Sequence, residues 1–515
     1  MNFIKKKMLL FTVFLTGAGV LIIEIVASRI LSPFFGNTIY TYSAIISTIL
    51  AALSFGYYFG GILADKKPSE KIFFFIIFVA GILVLLIEVL ITVVLQAFSK
   101  EFSLVYGPLV FSVLLFFVPS FLLGMLSPYV IKLQHLRVPK EGIGKVSGEV
   151  FFFSTLGSIF GSIVTGFYLI PNYGVDTIIL GTGFGLVVIG VAGLMANKAK
   201  NKTIISATVI FVVAASLAIE LLPFRLLANA VYNAEGLYEH IAIVDYEQED
   251  KRPVRYLLSE RNFSSGIFLD SDEHLFDYSK YFSLYELVNT EIENVLILGA
   301  GAFTLPRAYM RAEPQAEIDA VEIEPSLYEL SKKYFRLKES PRLHSHVEDA
   351  RRFMLNTDKK YDVIFNDVYL SIASLPVHAT TKEYFELAKE RMDDNGIFIA
   401  NFIGDLYTGE KSLMLSLLAT LDSVFDNYYL LSVKGSEERE VAQNYVFFAL
   451  NSDERLDFSS RAVTESETEV IRNIEEHLVD LDKYDFSDRV IFTDNYAPVE
   501  MYTAGLIKRI GVRGL

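Results

Sequence analysis

The chain has 515 residues, too many for one ordinary core, and a formal net charge of −15 with no cysteine, which excludes disulfides, thiolate metal sites and cysteine nucleophiles. The charge is uneven. Residues 1–222 hold 15 Lys+Arg against 9 Asp+Glu and the remainder 31 against 52, so the acidic second half lacks the clustered cations that a nucleic-acid surface needs.

Seven long apolar runs occupy the first part, at about 8–31, 39–64, 72–98, 104–131, 150–170, 175–196 and 203–222. Each reaches or nearly reaches the ~20 residues that cross a hydrocarbon core, which predicts a multi-pass helical domain over 1–222 in contact with a lipid bilayer. The first run is too long for a cleaved signal peptide, and Glu24 and Arg29 interrupt it before any small-residue cleavage site. Thirteen Lys and Arg sit in alternate loops, at 5–7, 66–71, 132–145 and 198–202, whereas the opposite loops hold only Lys100. That bias puts the N-terminus in the cytoplasm of a cell-membrane protein, and seven crossings then put everything after Pro223 outside. Gly56 with Gly60, and Gly157 with Gly161, have the spacing that lets helix backbones approach closely, within one bundle or, alternatively, across a homodimer interface. Glu24, Arg29 and Glu88 are expected to face the bundle interior or a polar cavity. A transport role stands beside a packing role for them, although no inverted repeat is visible.

The second part reads differently. Residues 223–290 begin as a linker (223–240) and continue as a small β unit with short runs at 241–247, 255–260 and 266–270. From Val295 the pattern becomes strand, helix, strand, helix. Helices are predicted over 327–335 and 381–392, and buried strands over 397–402, 428–433 and 445–450. Alternation of this kind implies a mainly parallel, Rossmann-like α/β sheet over 291–515. The acidic segment 452–488 reads as a solvated surface.

The chemistry lies at predicted strand ends. VLILGAGAF runs a buried strand into Gly299 and Gly301, where a backbone without Cβ atoms can approach a ligand. Glu322 ends the next strand, placed to accept both ribose hydroxyls of a nucleoside. Asp349 follows a third strand-like step and Asp367 ends YDVIFND. Glu322 and Asp349 have a competing explanation as helix N-caps. A dinucleotide is disfavoured, because AFTLP after Gly301 lacks the third glycine of the pyrophosphate fingerprint.

The order LGAGAFTLPR, VEIE, SKKYF, VEDARRF, YDVIFND, KEYFELAKERMDDNGIFIANF resembles the spermidine synthases, aminopropyltransferases that use decarboxylated S-adenosylmethionine. With EIVASRILSPFFGNTIYTYSAIIS, FGYYFGGILADK and the late TDNYAPVE, the whole chain is similar to the membrane-fused spermidine synthase-like proteins. The resemblance implies a methyltransferase-type Rossmann-like fold and no tightly bound cofactor or metal. It implies a donor nucleoside held by Gly299, Gly301, Glu322, Asp349 and Ala350, and Asp367 as the base for a small-molecule amine acceptor. The departures imply an altered acceptor. Ala302 stands where the GGGDG pattern has its acid, Leu370 where D-x-x-D has its second Asp, and Tyr278-Ser279-Lys280 where the family has YHE. Another S-adenosylmethionine-dependent transfer, or a non-catalytic membrane protein with a nucleoside-binding domain, are the alternatives.

Overall fold

The computed structural model describes residues 2–138, 141–197, parts of 206–215, 230–248, 250–260, 262–288, 291–369, 375–435 and 442–510. The chain divides into two compact units, Met1–Ala228 and Asn229–Leu515.

In the first unit, six helices among the described residues are long and apolar enough to cross a membrane: α1 Lys7–Phe35, α2 Ile39–Lys66, α3 Glu70–Leu95, α4 Gly107–Arg137, α5 Ile143–Asn172 and α6 Val175–Ala196. The expected seventh span falls largely outside the described residues. Helix α1 packs on α5, α2 on α4, and α3 on α6. The glycine pairs make two of these contacts possible. A Cβ at Gly157 would collide with the Phe14 carbonyl of α1, and one at Gly60 would stand 2.6 Å from Met125 of α4. The backbones therefore meet directly within one bundle. Helices α4 and α5 each widen into a π-turn, Val113–Phe117 and Thr165–Leu169, shortly before Pro119 and Pro171. A proline lacks the N–H and crowds the carbonyl one turn back, and a wide turn relieves both problems. Glu88 is fully buried in the bundle, while Glu24 and Arg29 are partly buried. At one end Lys132 pairs with Asp65 at 2.7 Å and Arg137 bonds Glu70, which draws the basic α2–α3 loop against the basic end of α4.

The second unit opens with an antiparallel meander, β1 Ala230–Glu235, β2 His240–Glu247, β3 Pro253–Ser259 and β4 Asn262–Phe268. Strand β1 lies in the stretch expected to be linker; AVYNAE carries no clean alternation, and its pairing with β2 supplies what the sequence pattern does not. One face, with Ile241, Ile243, Leu257 and Ile267, packs on Ala302 and on Leu327 and Leu330.

Among the described residues the larger sheet has seven strands, in the order β10-β11-β9-β8-β5-β6-β7. Its parallel part comprises β5 Asn294–Leu298, β6 Glu317–Glu322, β7 Leu343–Val347, β8 Tyr361–Asn366 and β9 Met392–Gly404. Strands β10 Tyr428–Ser432 and β11 Gln443–Leu450 close one edge antiparallel. Val295 and Ile297 face one apolar layer while Leu296 and Leu298 face the other, which is why β5 reads as an unbroken apolar run. Helices α7 Thr304–Ala312, α8 Leu327–Tyr334, α9 Ala350–Asn356, α10 Lys382–Arg391 and α11 Leu413–Asp422 connect or flank these strands. The chain leaves β5 toward β6 and β7 on one side and returns to β8 on the other. The crevice between β5 and β8 is thus the topological switch point, where ligands of open α/β sheets bind.

Candidate active site

The loop after β5 holds three left-handed residues, Gly299 (φ 84°), Gly301 (φ 53°) and Phe303 (φ 55°). Such conformations are costly for residues with a Cβ and cluster at ligand sites. A Cβ on Gly299 would strike the carbonyl oxygen of Asp367, and one on Gly301 would stand 2.7 Å from the Ser265 hydroxyl. The glycines therefore let the β8 exit and the β4 edge close over the loop. Ser265 also accepts from the Ala302 N–H at 3.3 Å. Nothing in the sequence pattern points to Ser265, because a register shift between Leu257 and Leu258 sets its direction.

Glu322 ends β6 and is not an N-cap. Its carboxylate accepts from the Gly301 N–H at 2.8 Å and from the Glu324 N–H at 3.0 Å. Burial pushes its carboxyl up, against the pull of those N–H groups. Beside it, Glu239 accepts from the Ser259 hydroxyl. Burial, aided by Glu322, Glu260 and Glu324 and opposed by the Ser259 hydrogen bond, pushes Glu239 up to about 8.

Asp349 does cap α9, accepting from the Arg352 N–H at 3.0 Å, and its other oxygen lies 2.9 Å from His378 Nε2. The His378 contact and the helix N–H hold its carboxyl below the usual range. The N-cap explanation is thus correct for Asp349 without removing it from the site rim, since Glu348 next to it bonds the carbonyl of Glu322. Ala350 is buried at the helix start. TDNYAPVE docks here too: Arg351 donates twice to Asp494, at 2.7 and 2.5 Å, and Thr381 donates to the same carboxylate at 2.8 Å.

Asp367, one residue past β8, is held on both oxygens. Tyr278 donates to Oδ2 at 2.9 Å and Asn401 Nδ2 donates to Oδ1 at 2.9 Å. Asn401 is itself oriented by Asn444, which donates to its Oδ1 at 2.8 Å. Tyr369 ties the β8 exit to β9, donating to the Asn401 carbonyl at 3.2 Å and accepting from the Ile403 N–H at 2.8 Å. Burial outweighs the two hydrogen bonds and raises the Asp367 carboxyl to about 6. The structure therefore brings Tyr278, from the segment after β4, onto Asp367, whereas Lys280 turns away to Asp277 at 2.7 Å. Ala302 is buried in the apolar contact with the meander. Leu370 lies outside the described residues.

The spermine/spermidine synthase domain family matches residues 281–458. That match lies within the second unit. The polyamine aminopropyltransferase of Vibrio vulnificus is 26% identical over 210 residues, 39% of this chain and 67% of that one. The polyamine aminopropyltransferase 2 of Aquifex aeolicus is 24% identical over 439 residues, 79% of this chain and 81% of that one. The latter match is longer than the whole second unit, so the likeness extends into the helical unit. A solved structure of a probable spermidine synthase from Corynebacterium glutamicum aligns over 52% of this chain and 97% of its own, with 20% identity and a TM-score of 0.44.

Proposed function

We propose that the protein is a membrane-anchored aminopropyltransferase that moves the aminopropyl group of decarboxylated S-adenosylmethionine to an amine acceptor other than the short diamine of the family reaction. The observation that carries this reading is Asp367, a carboxyl raised to about 6 and aimed by Tyr278 and Asn401 beside the glycine loop. An amine arrives as an ammonium and is a nucleophile only after losing a proton, and a buried carboxylate both attracts the cation and takes that proton. The amine nitrogen then forms a bond to the carbon next to the sulfonium. The C–S pair leaves on sulfur as a neutral thioether, so the leaving group needs no acid and positioning supplies most of the remaining acceleration. Gly299 and Gly301 face the sulfonium side chain, Glu322 takes the ribose hydroxyls, and Asp349 with Ala350 lies at the adenine.

A second reading is favoured by Ala302, buried among apolar residues with no acid to hold a donor amine. A methyl transfer from S-adenosylmethionine needs no such acid. Titration calorimetry of the detergent-solubilised protein separates the two. Binding of decarboxylated S-adenosylmethionine in preference to S-adenosylmethionine supports aminopropyl transfer, the reverse preference supports methyl transfer, and binding of neither donor nor of methylthioadenosine defeats both.

The charge bias of the loops supports a cytoplasmic N-terminus and an extracytoplasmic synthase domain. A phosphatase reporter fused at Leu515, active only outside the cytoplasm, is expected to be active; an inactive phosphatase with an active cytoplasmic reporter at the same point would reject that orientation.

A further inference from the structure

We propose that His378 is a specificity-determining residue of the nucleoside pocket, and that Asp494, in the segment TDNYAPVE beyond the matched residues 281–458, is the positioning residue that holds it through Arg351. Together they select a purine that carries an amino group rather than an oxo group on its six-membered ring, an inference that rests on the reading of Asp349 and Ala350 as neighbours of the adenine.

Asp349 stands at the junction. Its Oδ1 accepts from the Arg352 N–H at 3.0 Å, and its Oδ2 lies 2.9 Å from His378 Nε2. The His378 contact and the N–H groups of Arg351 and Arg352 hold its carboxyl below the usual range, so it is ionised at neutral pH. An ionised carboxylate only accepts, so the hydrogen between the two sits on Nε2 and His378 is the donor. A carboxylate offers about four acceptor positions, more than these three donors fill, which leaves a place for the N–H of a ligand.

His378 is held in turn. It lies in the short turn Val377–Ala379, and its carbonyl accepts from Arg351 Nη1 at 3.2 Å. The same guanidinium donates to both oxygens of Asp494, at 2.7 and 2.5 Å, a two-pronged geometry that fixes direction as well as distance. Asp494 is anchored on α10: Thr381 donates to it at 2.8 Å, its own N–H bonds Glu383 at 3.0 Å, and the Phe492 carbonyl accepts from the Lys382 N–H at 2.8 Å. Thr493 and Tyr496 exchange backbone bonds of 3.0 Å each, which closes the turn. Three segments distant in sequence, at 349–352, 377–383 and 492–496, thus form one chain of hydrogen bonds that ends on Asp349.

An ion pair as open to water as Arg351 with Asp494 adds little stability by itself, so the weight of the network lies in aim and charge. An amino group on the base donates to the carboxylate. An oxo group in the same place sets a lone pair against it and leaves both without a partner, which costs more than a weakened contact does. His378 sharpens the choice twice over. It fixes Oδ2, and it keeps Asp349 ionised, so that the acid has no proton to offer an oxo group.

The test is titration calorimetry of the full-length protein in detergent with methylthioadenosine and with methylthioinosine, which has an oxo group in place of the amino group. Wild type is expected to prefer the former. His378→Ala should reduce that preference about tenfold, through weaker methylthioadenosine binding, and Asp494→Ala should reduce it by a smaller factor. His378→Gln, whose amide N–H can still donate, should retain most of it. Melting temperatures taken alongside should change little. An unchanged preference in both alanine variants overturns the proposal. So does an equal loss of both nucleosides, which would make the network only a brace for α9. Wild type that binds the two nucleosides alike overturns it while leaving the nucleoside pocket in place, whereas wild type that binds neither removes the pocket itself.

Discussion

Asp367→Asn is expected to lower amine transfer by about 10²–10⁴-fold, the range that a positioned general base contributes, while methylthioadenosine still binds. The amide keeps the shape of the carboxyl but cannot take the ammonium proton. The pH profile supplies an independent check. The acting form is the carboxylate, and burial has raised its carboxyl to about 6, so kcat/KM should fall as pH drops through about 6. Asn401→Leu removes one of two donors to the charged form. A hydrogen bond to a charged group contributes ~1.5–3 kcal/mol, so that limb should move upward by roughly 1–2 pH units. Stability separates loss of the base from misfolding. A carboxyl raised in the folded state contributes stability below its unfolded value of 3.8 and loses it as pH rises through about 6. At pH 8 the wild type carries that buried charge and Asp367→Asn does not, so the variant should melt no lower. A profile flat between pH 5 and 8, or a transfer rate unaffected by the amide, would remove Asp367 from the role of base.

What the sequence made legible followed from burial. Parallel strands covered on both faces read as apolar runs, so Val295–Leu298 and Tyr361–Asn366 declared themselves, and the residues just past them, Gly299 and Asp367, came with them. Six of the expected spans declared themselves in the same way, by length and apolarity. The contacts that aim the site were not legible, since each depends on register or on distance along the chain. Ser265 reaches Ala302 because of a register shift in the β3–β4 pair. His378 meets Asp349 from 29 residues away. Asn401 is one of a run of inner-strand residues, marked out only because β9 lies beside β8. Tyr278 could be singled out by resemblance alone, and Asp349 is a helix cap whose second oxygen is left to meet His378.

Glu322 is where a single substitution should separate the nucleoside from the acceptor. A carboxylate offers about four lone-pair positions. Some are taken by the backbone N–H groups of Gly301, Glu324 and Ile323, which fixes the carboxylate in place and ties it to the glycine loop. The remaining positions on the two oxygens are what a ribose diol needs. Glu322→Gln replaces one oxygen by an N–H₂ that cannot accept, so either a backbone N–H or a ribose hydroxyl loses its partner. At ~1.5–3 kcal/mol for a hydrogen bond to a charged group, methylthioadenosine affinity should fall roughly 10- to 150-fold. Binding of an acceptor amine, which rests on Asp367 in the proposed reaction, should not change. A lost backbone partner would also lower the melting temperature, so calorimetry and melting are measured together. A lower melting temperature with unchanged nucleoside affinity would show Glu322 to be only a latch for the loop. Weakened nucleoside binding at intact amine binding would establish it as the ribose acceptor.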